Sequence, residues 1–205
     1  MILPESATSA VFFAGDQILF VARTPKGETQ KFISNESLRK AVGAMPVDSG
    51  WLPESVKREG VTDGQPWFIS FHERKIRRVY IGEKAIRIPC PGLVFVGKGR
   101  KYFLFAAREK TFSDKMKVYT ASYPNLHPDQ EICFGRNRVV DAYPANEPKM
   151  WRLFWDAPFT GDLKNTYSLV HLAKEGLSEY PTERLKEKRG TINDLVDALK
   201  GESSE

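Results

Sequence analysis

A closely spaced series of apolar segments in the middle of the chain constrains the fold more than any other sequence feature. There are five runs: WFISF, IRRVYIG, LVFV, YFLFAA and KVYTAS. Short turns with glycine or charged residues separate the first from the second (His72–Lys75) and the third from the fourth (Gly97–Lys101). β-Branched and aromatic residues dominate these runs, which is typical of β-strands. Because short turns favour antiparallel neighbours, residues 67–122 are predicted to form an antiparallel β-meander.

Two further elements are predicted before this meander. The segment AVFFAGDQILFVAR indicates a β-hairpin with its turn at Gly15-Asp16. The segment SNESLRKAVGAMP indicates a helix that Ser34 or Asn35 can cap. Residues 50–65 are rich in turn-forming residues and are predicted to be a loop.

Two helices are predicted after the meander. The segment NEPKMWRLFWDAPF indicates a short helix with Pro148 in its first turn and an inward apolar stripe that includes Met150. A final helix is predicted to begin at Thr191, which can form a capping box with Asp194.

These elements predict one α+β domain over residues 1–200. Within it we distinguish a divergent N-terminal hairpin and helix (1–65), a core (66–165) and a C-terminal helical part (166–200). Residues 201–205, GESSE, are expected to be a disordered tail.

Composition indicates a soluble protein without a bound cofactor. Of the 205 residues, 41% are hydrophobic and 28% charged, and no apolar run is long enough to span a membrane. The N-terminal MILPESATSA lacks the basic and apolar regions of a signal peptide, so a cytoplasmic location is expected. Cys90 and Cys133 are predicted to be free thiols in a reducing compartment. The three histidines show no ligand spacing, so we predict no metal site. We also predict no other cofactor.

Positive charge is concentrated between His72 and Lys110. This stretch contains 11 Lys or Arg and three Asp or Glu, a net charge of +8 within a chain of net charge +5. A basic region can contact nucleic acid or an acidic protein. We favour a solvated sheet face with cationic turns, and we do not expect nucleic acid as a partner.

The segment YPNLHPDQEIC, residues 123–133, connects the last predicted strand to the second cysteine. A thiol is intrinsically reactive, but neither His127 nor another nearby residue is placed as a dedicated general base. Such a cysteine suits thioester exchange, in which the departing thiolate needs no proton. The alternative is that Cys133 is a buried structural residue, as we predict for Cys90.

This segment resembles the active-site loop of ubiquitin-conjugating (UBC) enzymes. In that family a His-Pro-Asn sequence is followed, after seven residues, by the acceptor cysteine. Here Tyr123, Pro124 and Asn125 stand at the His-Pro-Asn positions and Cys133 at the cysteine position, without a gap. Residues 86–165 also resemble the divergent bacterial UBC-like proteins called PRTRC system protein B (prokaryotic E2 family D), through IPCPGLVFVGKGRKYFLFA, ICFG and MWRLFWDAPFTGDLKN.

The resemblance implies a fold and a mechanism. The expected fold is UBC-like, with an antiparallel sheet, flanking helices and an extra N-terminal hairpin. Cys133 would accept the C-terminal carbonyl of a ubiquitin-like protein as a thioester and pass it to an amine. Asn125 would stabilise the oxyanion of the intermediate or brace the loop, and Asp141 is a candidate for orienting an incoming lysine. The expected loop-shaping residues are Tyr123, Pro124 and Asp129.

The same resemblance implies a set of protein partners. They are a small β-grasp ubiquitin-like protein, an adenylating ThiF-like activating enzyme and, as a candidate, a JAB-type metallopeptidase encoded in the same operon. Two other classes of function stay open. One is a catalytically idle UBC-fold scaffold, and the other is a basic module that binds nucleic acid or a partner through residues 72–110.

Three departures from the family pattern affect these expectations. The motif histidine is Tyr123, so a phenol hydrogen bond is expected to replace the imidazole contact. Gln130 occupies the position two residues after Pro128 where glycine is common, and the pattern therefore does not fix the turn there. The opening helix that docks conjugating enzymes on the activating enzyme has no counterpart, so partner docking is expected to differ.

Overall fold

The computed structural model describes residues 7–14, 17–34, 36–38, 50–159 and 166–201. The chain divides into two compact units, Met1–Gly50 and Trp51–Glu205. That the chain forms a single domain over residues 1–200 stays a prediction. The boundary predicted between residues 65 and 66 falls inside a β-hairpin of the second unit.

The first unit contains a three-stranded antiparallel sheet in the order β1-β2-β3. Its strands are β1 (Ser9–Ala14), β2 (Gln17–Thr24) and β3 (Gly27–Ile33). The predicted N-terminal hairpin is confirmed by the pairing of β1 with β2, although its turn at Gly15-Asp16 lies outside the described residues.

A helical turn follows this sheet at residues 36–38. The Ser34 hydroxyl accepts the backbone N–H of Ser37 at 3.1 Å, which confirms one of the two predicted caps. The other candidate cap, Asn35, and the predicted helix beyond residue 38 lie outside the described residues.

The second unit is built on a six-stranded antiparallel sheet in the order β11-β10-β9-β8-β5-β4, and β6 and β7 pair only with each other. Its strands are β4 (Val56–Thr62), β5 (Gln65–His72), β6 (Lys75–Ile81), β7 (Lys84–Cys90), β8 (Gly92–Lys98), β9 (Lys101–Ala107), β10 (Lys117–Thr120) and β11 (Lys188–Thr191). Its helices are α1 (Glu147–Asp156), α2 (Thr166–Lys174) and α3 (Ile192–Lys200). Short 3₁₀ turns occupy Pro144–Asn146 and Thr182–Arg184.

Strand β4 corrects the prediction of a loop over residues 50–65. It pairs with β5 at the edge of the sheet, where charged residues line its exposed positions and hide the alternating pattern. Gly60 is required in β4 because a Cβ atom there would lie 2.3 Å from the Trp67 ring. Packing against an aromatic ring, which a local pattern does not show, therefore explains this glycine.

Strands β6 and β7 interrupt the predicted meander. They form a separate hairpin, and β8 returns to pair with β5, so that Phe68 faces Gly97. Strand β11 likewise lies within residues 166–200, where only helix was predicted. Its sequence KRGT has little strand preference, and its pairing with β10 creates the strand.

Both faces of the six-stranded sheet are covered. On one face Phe95, Leu104 and Tyr119 pack with residues of α1, α2 and the β6–β7 hairpin. On the other face Ile69 and Val94 pack with residues of α3. Burial on both faces explains why central strands such as β8 are apolar at nearly every position.

The features predicted for the first turns of helices α1 and α3 are confirmed. Pro148 lies in the first turn of α1, and Thr191 and Asp194 form the complete capping box of α3. Gly201, which was predicted to begin a disordered tail, ends α3 in the left-handed conformation at φ 78°. Residues 202–205 lie outside the described part of the chain.

The antiparallel α+β fold predicted from the sequence is confirmed. Within the described ranges, none of the helices has both the length and the apolar character that crossing a membrane requires.

Candidate active site

The loop of residues 123–133 is joined to the sheet at strand β9. Strand β10 ends at Thr120, and beyond it the loop takes over the free edge of β9. The Leu104 N–H donates to the carbonyl of Gln130 at 3.1 Å, and the Ile132 N–H donates to the carbonyl of Tyr102 at 2.7 Å. The end of the loop is therefore fixed by backbone hydrogen bonds to a central strand.

A second set of backbone hydrogen bonds closes the loop on itself. The His127 N–H donates to the carbonyl of Glu131, and the Gln130 N–H donates to the carbonyl of His127, both at 2.9 Å. The Cys133 N–H donates to the carbonyl of Asn125 at 2.8 Å. The fold thus brings together the two residues that were predicted to carry the chemistry.

Two residues of the loop adopt the left-handed conformation that favours glycine. Asn125 has φ 64° and Gln130 has φ 74°. Asparagine tolerates this region better than most residues. Gln130 keeps the backbone shape that a glycine would give, and its side-chain oxygen accepts the Ala121 N–H at 2.6 Å. The turn is therefore preserved although the expected glycine is absent.

The side chain of Cys133 is exposed, whereas its two neighbours are buried. Ile132 and Phe134 are 5% and 9% exposed and belong to the main core. Cys133 is a free thiol that solvent can reach. This contradicts the alternative in which Cys133 is a buried structural residue.

Cys90 differs from Cys133 in burial. It is a buried free cysteine at the end of β7, as predicted for a structural residue. Burial raises the pKa of its thiol to about 11, so it stays protonated near neutral pH. Of the two cysteines, only Cys133 offers an accessible sulfur.

Comparison of the whole sequence with models of known protein families shows to which family the chain belongs. The sequence model of prokaryotic E2 family D matches residues 30–188, which is more than half of the chain and includes the whole loop. The chain belongs to prokaryotic E2 family D. No curated protein and no solved structure matches the chain significantly.

Membership in prokaryotic E2 family D indicates a ubiquitin-conjugating-like role. It also implies, in general terms, interaction with ubiquitin-like proteins and activating enzymes. Cys133 and Asn125 lie inside the part of the chain that matches this E2 family.

Tyr123, at the position of the motif histidine, holds the base of the loop by aromatic packing. Its ring is 4% exposed and makes edge-to-face contacts with Trp155 and Phe154 of α1 at 5.4 and 6.4 Å. Its hydroxyl lies beside the Cys90 thiol but makes no hydrogen bond of normal distance and angle. The hydroxyl therefore faces the buried Cys90 thiol, and its replacement of the imidazole contact stays a prediction. Burial raises the pKa of Tyr123 well above its usual value.

Of the other two predicted loop-shaping residues, Pro124 lies at the start of the loop and Asp129 near its tip. Pro124 is buried next to Tyr123. The Asp129 carboxylate accepts the Glu131 N–H at 3.0 Å, which is a local turn of the Asx type. Arg189 of β11 donates to the carbonyl of Pro128 at 3.1 Å and ties the tip of the loop to the edge of the sheet.

Asp141, the candidate for orienting a lysine, lies in the segment that leaves the loop. Its side chain is exposed, and its backbone carbonyl accepts the Asn146 side-chain N–H at 2.9 Å. Asp141 lines a surface depression with Lys98 and Lys101 at the β8–β9 turn. Its role toward a lysine stays a prediction.

The segment after Cys133 crosses the sheet where a glycine makes room for it. A Cβ atom on Gly97 would lie 2.7 Å from the Cβ atom of Ala142. The Tyr102 hydroxyl donates to the carbonyl of Val140 at 3.0 Å, and Arg100 donates to the carbonyl of Val139 at 2.9 Å. These contacts fix residues 139–142, which follow Cys133 in the chain, against strands β8 and β9 and the turn between them.

Sequence reasoning missed the part that Gln130 plays in the site. Its buried side chain connects the loop to Ala121 at the end of β10. The only sequence signal was its place at a position where the family commonly has glycine. That position indicates a positive φ angle, which the structure shows. Among the described residues, no cluster of three or more His, Cys, Asp or Glu could hold a metal ion.

Proposed function

We propose that this protein is a UBC-like conjugating enzyme that carries a ubiquitin-like protein as a thioester on Cys133. The observation that supports this proposal is an exposed cysteine whose backbone N–H donates to the Asn125 carbonyl, on a loop fixed to the central sheet. Misplaced reacting groups lower a reaction rate by large factors, and the anchoring of the loop limits such misplacement.

The first step loads the enzyme. The Cys133 thiolate attacks the activated C-terminal carbonyl of the ubiquitin-like protein held by the activating enzyme. A carbon–sulfur bond forms, and the former activating group departs with its electron pair. No general base on the acceptor loop is needed once the thiol has lost its proton, which occurs for a few per cent of ordinary thiols near pH 7.

The second step unloads it. An amine attacks the thioester carbonyl, the carbon–sulfur bond breaks, and the Cys133 thiolate leaves. The amine loses its proton to solvent or to a nearby base, for which Asp141 is our candidate. The Asn125 side-chain amide would stabilise the oxyanion of the tetrahedral intermediate, a contribution of about 3 kcal/mol for a well-placed donor.

The partners in this proposal are those that the family resemblance implies. They are a β-grasp ubiquitin-like protein, a ThiF-like activating enzyme and a JAB-type metallopeptidase of the kind expected in a PRTRC gene cluster. The proposed location is the cytoplasm, where reducing conditions keep Cys133 free.

The test mixes the protein with its ubiquitin-like partner, the activating enzyme and ATP, and separates the products on a non-reducing gel. We expect an adduct that a thiol reductant removes. Cys133→Lys should give an adduct that resists the reductant, since an amide forms. Cys90→Ala is the matched control and should be loaded like the wild type. A reducible adduct that persists in Cys133→Ser would refute the assignment.

Two substitutions separate the two roles considered for Asn125. The Asn125 side chain makes no hydrogen bond with the other described residues, while its backbone carbonyl braces Cys133. Asn125→Gly keeps the left-handed backbone and removes only the amide. If the amide stabilises the oxyanion, amine transfer should fall on the order of 10²-fold while the fold is unchanged. If Asn125→Gly transfers to the amine at the wild-type rate, the side-chain amide has no role in catalysis and Asn125 acts only through its backbone carbonyl.

Two alternative functions make different predictions. An idle scaffold would bind the ubiquitin-like partner but form no adduct, and the exposure of Cys133 disfavours it. A basic module would bind nucleic acid through residues 72–110 with an affinity that falls steeply as salt rises.

A further inference from the structure

A second candidate site lies in a groove between strand β6 and helix α1. The groove is open and has a volume of about 720 Å³. Cys133 and Asn125 are not among its lining residues. We call it the Arg77 groove, and the residues used below are Lys75, Arg77, Arg78, Trp151, Arg152 and Trp155.

Arg77 lies in the Arg77 groove as a cation between two aromatic side chains. Its guanidinium carbon is 4.7 Å from the ring centre of Trp151 and 4.6 Å from that of Trp155. The Nε and Nη2 atoms are buried without a hydrogen-bond partner, and Arg77 forms no ion pair with any described residue. Arg77 as a whole is half-buried. Charged groups withdrawn from water are normally paired, because an uncompensated buried charge is costly.

The titratable side chains that act most directly on Arg77 do not supply a negative charge at neutral pH. Burial raises the pKa of both Cys90 and Tyr123, so both are neutral at pH 7. Burial lowers the pKa of His72, which is therefore mostly neutral, and Lys75 adds a further cation.

The one buried carboxylate of the Arg77 groove is already used. Glu147 accepts hydrogen bonds from the Ser55 hydroxyl at 3.0 Å, from the Ser70 hydroxyl at 3.1 Å and from His72 Nε2 at 2.7 Å. Its two oxygens are thus occupied by β5 and the residue before β4, and it makes no ion pair with Arg77.

Other unpaired donors and cations surround Arg77. The Trp155 Nε1 atom is buried without a hydrogen-bond partner. On the rim, Arg78 and Arg152 are exposed and form no ion pair with the described residues. Each of these groups can donate a hydrogen bond. The lining also contains the exposed carboxylates Glu54 and Asp156, neither of which forms an ion pair with Arg77.

We propose that the Arg77 groove binds a compact oxyanion, a carboxylate or a phosphate, which pairs with the Arg77 guanidinium between Trp151 and Trp155. The anion supplies the ion pair that Arg77 does not form with any described residue. Arginine suits this role because its planar N–H groups match the geometry of both ligands. This proposal does not depend on thioester chemistry at Cys133.

The test titrates the ¹⁵N-labelled full chain with inorganic phosphate and, separately, with glutarate at pH 7 and constant ionic strength. The indole N–H signals of Trp151 and Trp155 and the Nε–H signal of Arg77 report binding. We expect saturable shifts with one or both anions, beyond those that chloride causes. Saturation by only one anion identifies the ligand class, and the absence of saturation with both would overturn the proposal.

Variants locate the binding to Arg77. Arg77→Leu should weaken the affinity about tenfold or more, as expected for the loss of a charge-assisted hydrogen bond. Arg87→Leu is the matched control: Arg87 is an exposed residue of β7 outside the lining of the groove, and its loss should leave the affinity unchanged. If Arg77→Leu does not fold, Arg77→Lys keeps the charge but lacks the guanidinium N–H groups. Wild-type affinity in the folded Arg77 variant would refute the site.

Discussion

At the scale of single residues, Gln130 shows how the loop keeps its shape with an unusual residue. A glycine would adopt φ 74° without strain, whereas an L side chain pays about 1 kcal/mol or more for this conformation. Gln130 offsets this cost with a buried hydrogen bond to the Ala121 N–H. A buried side-chain hydrogen bond thus stabilises a backbone conformation that glycine would adopt without strain.

This arrangement predicts an order of stability for two variants. Gln130→Gly loses the hydrogen bond but relieves the backbone strain, while Gln130→Ala loses the hydrogen bond and keeps the strain. We expect Gln130→Ala to lower the free energy of unfolding by about 1 kcal/mol more than Gln130→Gly does, measured by urea denaturation. Gln30→Ala, on the exposed surface of β3, should change it by less than about 0.5 kcal/mol. Equal losses in the two Gln130 variants would contradict this account.

At the scale of elements, a buried carboxylate fixes the start of α1 on the sheet. Glu147, the first residue of α1, is 1% exposed and accepts from Ser70 and His72 of β5. Its negative charge lies at a helix N-terminus, where the helix dipole stabilises it. His72 in turn stacks on Trp151, with ring centres 3.6 Å apart. We call this group, Glu147, Ser70, His72 and Trp151, the Glu147 clamp, because it joins helix α1 to strand β5.

The Glu147 clamp predicts a dependence of stability on pH. Burial lowers the pKa of His72 below 6.5 although the hydrogen bond and charge of Glu147 oppose this shift, and Arg77 and Lys75 add to it. The unfolded chain therefore binds a proton more readily than the folded chain. The free energy of unfolding should fall as the pH drops below about 6.5 and through the lowered pKa.

The measurement compares the wild type with His72→Gln by chemical denaturation between pH 7.5 and 5. The wild type should lose more stability than His72→Gln over this range. The exposed His127 gives a matched control, since His127→Gln should follow the wild-type pH dependence. A wild type that gains stability relative to His72→Gln at low pH would show that His72 is protonated in the folded Glu147 clamp.

At the scale of the whole molecule, both hydrophobic clusters described in the second unit are built from residues after position 50. A chain of residues 51–205 therefore contains its complete core and its six-stranded sheet. We expect this fragment to unfold cooperatively, as followed by far-ultraviolet circular dichroism during heating.

A shorter fragment provides the control. Residues 66–205 begin at the boundary that the sequence suggested, and they lack β4, its ladder with β5 and the glycine beneath Trp67. This fragment should be clearly less stable than 51–205. Equal stability of the two fragments would mean that β4 does not belong to the folding unit.

Several features followed from the sequence alone, because local chemistry decides them. The capping box at Thr191 and the proline in the first turn of α1 depend on residues three or four positions apart. The apolar strands β5, β8 and β9 are rich in residues that favour strands. The spacing from Asn125 to Cys133 also singles out the loop.

Other features were decided only by tertiary structure, because they depend on partners distant in sequence. Strand β11 exists through its pairing with β10, some 70 residues away, and β4 was hidden by its charged edge. The exposure of Cys133 depends on the hydrogen bonds that fix its neighbours to β9, and the unpaired charge of Arg77 depends on side chains from β7, α1 and the loop. The sequence by itself determined which residues form the loop and the main strands, whereas long-range pairing and burial decided how that loop is held and where a charge is left without a counter-ion.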